Sequence, residues 1–358
     1  MISRLAEITR PALAFLKRHN LAVRLVVVAL VAVFLLRGLV SGWSGLRSYG
    51  WHVSWPLLAL ALLLLIGQEL SFAFVWRFIL RRMGFSLGAL TAQRIYLGSE
   101  MVRYIPGNVW HVITRVVWAE RHGVPKAQGF TSMVVELATK IASAALVFVA
   151  TLFFWPDARV LASTLPRGVL AVMAIVGVPL LLVGLHPRIM SAALNAGLRV
   201  LKREPVSLPF GYADVLSITL AWCASWVVGG LGFWLLLAAV SPGALPPAAP
   251  TLAVGIFALA WDIGFLSFIT PSGLGVREWA TAALLVAAGL VGGGAAGVAL
   301  ATVVALLARL LTTASELLCI AGANLTPSRE SRPAAQSGTA KLTAGESVPT
   351  MSGPQKRG

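Results

Sequence analysis

Residues 56–80 read PLLALALLLLIGQELSFAFVWRFIL, a run in which only Glu69 and Arg77 are ionisable. A helix rises about 1.5 Å per residue, so about 20 apolar residues cross the ~30 Å hydrocarbon core of a bilayer. The stretch is long enough to span a membrane. Its almost unbroken apolar character leaves no polar face to present to water.

The pattern recurs on both sides of it. Runs at 21–40, 129–155, 168–185, 215–240, 249–270 and 295–322 meet or approach the same length. An eighth run, 279–291, has 13 residues and reaches only about 20 Å. It reads either as a half-helix or as a crossing completed by the glycines that follow. Composition agrees: 58% of the chain is apolar and 12% charged, against about 25% charged in soluble domains. A surface facing water cannot be covered with so few charges. That excludes a soluble enzyme, a disulfide-stapled secreted domain and a disordered chain. The expected fold class is all-α: a polytopic helical membrane protein of about eight transmembrane helices, with re-entrant or half-helix segments.

The remaining charge is lopsided, with 29 Lys and Arg against 13 Asp and Glu, a net +16. On a soluble protein this would suggest nucleic acid. On a membrane protein it reads as topology signals and affinity for anionic lipid, with no nucleic-acid partner. With eight crossings, segments 1–20, 81–128, 186–214 and 323–358 fall on one side and carry 20 Lys and Arg. The loops at 41–55, 156–167, 241–248 and 292–294 carry three. Positively charged loops stay inside, so both termini are expected in the cytoplasm of a bacterial-type inner (plasma) membrane. The first run lacks a small-residue cleavage site and reads as a retained anchor. The organisation expected is a cytoplasmic segment 1–20, a membrane domain 21–322 and a polar, disordered cytoplasmic tail 323–358.

Signatures of soluble chemistry are few. No Gly-Lys dipeptide occurs, so there is no phosphate-cradling loop for ATP. The five histidines (His19, His52, His111, His122, His186) lack the helical pair spacing of zinc sites. Cys223 and Cys319 lie inside apolar runs and read as packing residues. Neither a cofactor nor a metal is expected. Gly292, Gly294 and Gly297 formally fit a dinucleotide fingerprint. They follow a helical run rather than a strand, so close helix contact through Gly289, Gly293 and Gly297 is the better reading.

What stands out is charge at membrane depth, where each such group needs a partner or a wet cavity. Glu69, Glu136, Lys140, Asp262, Arg309 and Glu316 all fall inside the apolar runs. Glu136 and Lys140 are spaced for a helical ion pair. Arg309 and Glu316, two turns apart, are expected to look into one interior. Two irregular stretches add to this set. The first runs from Arg103 through Pro106, Gly107 and Asn108 to His111, with Arg115 beyond. The Pro-Gly pair breaks a helix amid apolar and aromatic flanks, so 84–128 is expected either in the interface plane or as a re-entrant hairpin. The second is Pro271-Ser-Gly273-Leu-Gly275-Val-Arg277-Glu278. Here a helix ends, glycines permit a tight turn, and a short helix begins beside Arg277, an arrangement that offers an anion pocket.

This second stretch, preceded by an acid-bearing span and followed by a short helix, resembles the P-x-G-x-G-x-R-E element of the lysylphosphatidylglycerol synthase transmembrane family, the flippase-like integral membrane domain. Tyr104 to Trp110 and the Glu136 span are similar to other recurring features of that family. The resemblance implies a lipid path lined by Pro106, Gly107, Pro271, Gly273, Gly275, Arg277 and Glu278. It implies membrane phospholipids as partners, with anionic or aminoacylated phospholipids, or another lipid-linked molecule, moved between leaflets. The soluble domain that charges the lipid in full synthases has no counterpart in the polar residues after the last span, so no enzyme activity is expected. Two alternatives stay open. One is a non-transporting subunit that anchors a separate lipid-modifying enzyme. The other is a membrane-embedded transferase using Glu100 and His111.

Overall fold

The computed structural model describes residues 53–102, 110–155, 176–200, 205, 208–241, 243–267 and 271–326, and every regular element among them is helical. The helices are α1 (Trp55–Arg82), α2 (Ala89–Met101), α3 (Trp110–Glu120), α4 (Lys126–Thr151), α5 (Val178–Gly184), α6 (Pro187–Val200), α7 (Tyr212–Val240), α8 (Ala249–Leu266), α9 (Val276–Ala287) and α10 (Gly294–Leu325). They belong to one compact unit that ends at Leu325. The expected anchor at 21–40 lies outside the described residues, as do the 1–20 segment, the tail from 327 onward and the first part of the 168–185 run.

Among the described residues, five helices are long and apolar enough to cross a membrane: α1, α4 with its 3-10 extension to Phe154, α7, α8 and α10. The pair α5 and α6 passes the same test only jointly and is bent by 65°. The bend falls at Leu185–His186, where Pro187 begins a new helix because it has no N–H to continue the old one. Sequence punctuation also sets the other ends. Pro56 opens α1 and Pro250 opens α8, while Arg81 and Arg82 close α1 where a helix favours positive charge.

Helix α7 is the hub and packs against α1, α8, α4 and α10. Small residues let it approach: a Cβ on Gly230 would collide with the Val254 backbone of α8, and one on Gly232 would lie 3.1 Å from the Ala61 carbonyl of α1. The core holds Trp76, Trp222, Trp226 and Phe233, all fully buried. Leu60, Leu63, Phe74, Leu220, Leu310, Leu317 and Leu318 point outward. An outer surface of this kind is stable in lipid and not in water. The protein is therefore a multi-pass membrane protein.

The short helices α2 and α3 pack on each other, α2 against α1 and α10, and α3 against α4. With 13 and 11 residues neither can cross. Helices α2 and α3 are thus docked on the bundle. Helix α9 starts at Val276, beside Arg277 as expected, and has 12 residues, too few to span. The glycines after it do not form a helix-packing stripe as expected. Gly289, Gly292 and Gly294 have φ of +67°, +74° and +70°, which turns the chain into α10, and nothing lies near a Cβ at Gly289 or Gly293.

Candidate functional site

The turn between α8 and α9 forms because two glycines let it fold onto itself. Gly273 has φ +67°, and a Cβ there would lie 2.6 Å from the Gly264 carbonyl oxygen and 2.8 Å from its Cα. A Cβ on Gly264 would in turn lie 2.8 Å from the Arg277 Cβ. The start of α9 is therefore pressed against the end of α8. Arg277 reaches back along α8, its guanidinium 5.3 Å from the Phe257 ring centre. We expect Gly273→Ala to destabilise the protein by about 1–3 kcal/mol from overpacking alone, with a further loss from the positive φ. Gly289→Ala, equally positive in φ but in open space, should show only the conformational part. Thermal unfolding of the two variants in detergent separates the contributions; equal midpoints would contradict the close approach.

Helix α9 then opens on an internal cap. The Gly275 N–H donates to Glu278 Oε2 at 2.5 Å. Glu278 Oε1 lies 3.6 Å from Arg309 Nε of α10, and Arg309 Nη2 donates to Ser272 Oγ at 3.1 Å. Glu278 thus caps the helix and pairs with Arg309, rather than leaving the helix start open for an anion.

On the far side of the turn lies a cavity of about 260 Å³. Its walls are Glu100 of α2, His111 and Val112 of α3, Phe130 to Lys140 of α4, Trp261 and Phe265 of α8, and Ser272, Gly273 and Arg277. Two cations, Lys140 and Arg277, thus face one space from different helices. Arg277 also borders a much smaller space that holds Glu278, Thr281 and Arg309.

Behind one wall is a buried polar cluster centred on Arg115, which is 1% exposed. Its Nε donates to Ser99 Oγ at 2.8 Å and its Nη1 to Glu136 Oε2 at 2.7 Å, while Nη2 pairs with Glu100. The guanidinium lies 3.9 Å from the Tyr96 ring centre, and Tyr96 OH donates to Glu136 Oε1 at 2.9 Å. Burial alone would pull its pKa down, but the carboxylates of Glu136 and Glu100 outweigh that and hold it above the ordinary value. Arg115 therefore fastens α3 to α2 and α4 and sets the direction of the two carboxylates that line the cavity. The helical Glu136–Lys140 pair expected from spacing gives way to these partners.

Lys140, 5% exposed, points instead into an aromatic cage. Its Nζ lies 3.7 Å from the Phe72 ring centre, 4.8 Å from Trp261, 5.0 Å from Trp222 and 5.9 Å from Trp226. It also donates to Tyr96 OH at 3.4 Å. Asp262, 5% exposed, stands within the field of Lys140, and its Oδ1 has no hydrogen-bond partner.

Of the residues singled out in the sequence, Glu100, His111, Glu136, Lys140, Gly273 and Arg277 line the main cavity. Arg115, Asp262, Gly275, Glu278 and Arg309 support it from behind. Pro271 opens the turn. Glu316 is elsewhere: buried two turns along α10 from Arg309, it shares the neighbourhood of Cys319 with Glu69. Arg103, Pro106, Gly107 and Asn108 lie outside the described residues. The sequence reading missed Tyr96, Ser99, Ser272 and the aromatic cage. Only Trp222 and Trp226, four apart and so on one helix face, carried a readable signal of the last.

The family model described as the lysylphosphatidylglycerol synthase TM region matches residues 21–315. The match covers most of the chain, which belongs to that family. No curated protein matches the chain.

Proposed function

We propose that this member of the lysylphosphatidylglycerol synthase transmembrane-region family binds an anionic or aminoacylated phospholipid by its headgroup and carries it between leaflets. The observation that carries the reading is the shared cavity of Lys140 and Arg277, held in a bundle whose outer surface suits lipid. A buried cation at membrane depth is expensive unless it has a function or a counter-charge. A phosphate entering the cavity meets both cations at once, while the acyl chains stay outside among the exposed leucines. Basic residues at the ends of the bundle, Arg81, Arg82, Arg94 and Arg121, gather anionic headgroups, at about 1 kcal/mol per basic side chain near such a surface.

In this reading the chain is a multi-pass protein of a bacterial-type plasma membrane in which α9 is a half-helix that enters the bilayer without crossing it and the short helices α2 and α3 re-enter beside it. The chain acts without enzymatic chemistry, and its partners are phospholipids. Leaflet exchange of labelled phosphatidylglycerol in vesicles reconstituted with the purified chain tests it. Arg277→Ala and Glu278→Gln should abolish exchange while folded yield survives. Unchanged exchange in both variants rejects the assignment, and no exchange by the wild-type chain favours the anchoring-subunit alternative.

A further inference from the structure

Ser272 has φ +54° and ψ +24°, and it is the only non-glycine residue with positive φ among the described residues. Serine is strained there, whereas glycine adopts that conformation freely. Strain held at such a position points to a use for the side chain. Ser272 lines the cavity together with Arg277, and its hydroxyl accepts a hydrogen bond from Arg309 Nη2 at 3.1 Å. A guanidinium only donates, so the Ser272 oxygen is the acceptor in that bond and its own hydrogen is turned elsewhere. No described residue accepts that hydrogen. Arg309 is itself steadied by Glu278, 3.6 Å away, which balances its charge.

We propose that Ser272 is a ligand-contacting residue that donates its hydroxyl hydrogen to a phosphate oxygen held at Arg277. Arg309 is a positioning residue: it does not reach the ligand and acts by fixing the direction of that hydroxyl. The relay runs from Glu278 through Arg309 and Ser272 to the anion. It makes the site selective for a tetrahedral oxyanion over a neutral headgroup. This rests on the cavity being the headgroup site proposed above, and it adds a donor that the charge pattern does not reveal.

Binding to nanodiscs of phosphatidylcholine containing either phosphatidylglycerol or diacylglycerol tests the relay, followed by the change in intrinsic tryptophan fluorescence that is lost when Trp261 of the cavity wall is replaced by Phe. Thermal unfolding is measured in parallel. Ser272→Gly should unfold at the wild-type temperature or above, since strain is relieved. It should nevertheless bind phosphatidylglycerol about 10- to 100-fold more weakly, the loss of one hydrogen bond to a charged group. Diacylglycerol should bind weakly and equally to both. Arg309→Gln should weaken phosphatidylglycerol binding, and the double variant should be no weaker than Ser272→Gly alone; additive losses would overturn the positioning role. Wild-type binding by Ser272→Gly, alongside lost binding by Arg277→Ala, overturns the relay and leaves the headgroup site standing. Wild-type binding by both variants overturns the site itself. Inorganic phosphate taken up by the wild type but not by Ser272→Gly, with phosphatidylglycerol bound by neither, supports the hydroxyl donor and overturns the lipid reading.

Discussion

Replacing Arg115 with Met should lower stability by about 3–5 kcal/mol, the penalty for removing one member of a buried ionic network. The guanidinium serves acceptors on two helices at once: Ser99 and Glu100 on α2, and Glu136 on α4. Without it, two carboxylates face each other in the bundle with only the Tyr96 hydroxyl left to serve Glu136. Arg115→Lys should recover little, because an ammonium cannot present the planar fork that reaches all three partners and stacks on Tyr96. Adding Glu136→Gln to Arg115→Met should restore part of the loss by removing one uncompensated charge. Unfolding midpoints in detergent give the energies, and hydrogen exchange across α3 should show faster opening of that helix than of α7. An unchanged midpoint in Arg115→Met would show that the cluster contributes no stability.

The same cluster shows what the sequence could and could not tell. Membrane spans were legible because the bilayer imposes a length, and 56–80, 215–240 and 295–322 became α1, α7 and α10 with small shifts at the ends. The 271–278 turn was legible because proline and glycine act locally: Gly273 and Gly275 do have positive φ, and Arg277 does face the cavity. Partnerships were not legible. Spacing placed Glu136 and Lys140 one turn apart on one face, which is correct, and then paired them. Their actual neighbours come from α2 and α3 for Glu136 and from α1, α7 and α8 for Lys140. No local rule encodes those contacts. The shared helix of Arg309 and Glu316 hid a similar divergence, since Arg309 reaches Ser272 while Glu316 shares the neighbourhood of Cys319 with Glu69 of α1.

Lys140→Met should also be costly, by about 2 kcal/mol or more, because it takes a desolvated cation out of four aromatic rings and removes the positive charge that acts on Asp262. Asp262 is buried on α8 with an oxygen that has no hydrogen bond, and the Lys140 ammonium is a positive charge acting on it. Four aromatic rings hold that ammonium in place, a contact that strengthens when water is excluded. If the two charges support each other across α4 and α8, Asp262→Asn in the Lys140→Met background should recover at least half the loss. The two substitutions should then couple by about 1–3 kcal/mol in a double-mutant cycle. Strict additivity would mean that the cage alone stabilises Lys140 and that Asp262 is indifferent to it. Lipid binding separates structure from function in the same variants. The double variant, restored in stability, should still bind phosphatidylglycerol poorly, because Lys140 is one of the two cations that line the cavity and its charge is gone. Recovery of binding together with stability would reduce Lys140 to a packing element and leave Arg277 as the anion's partner.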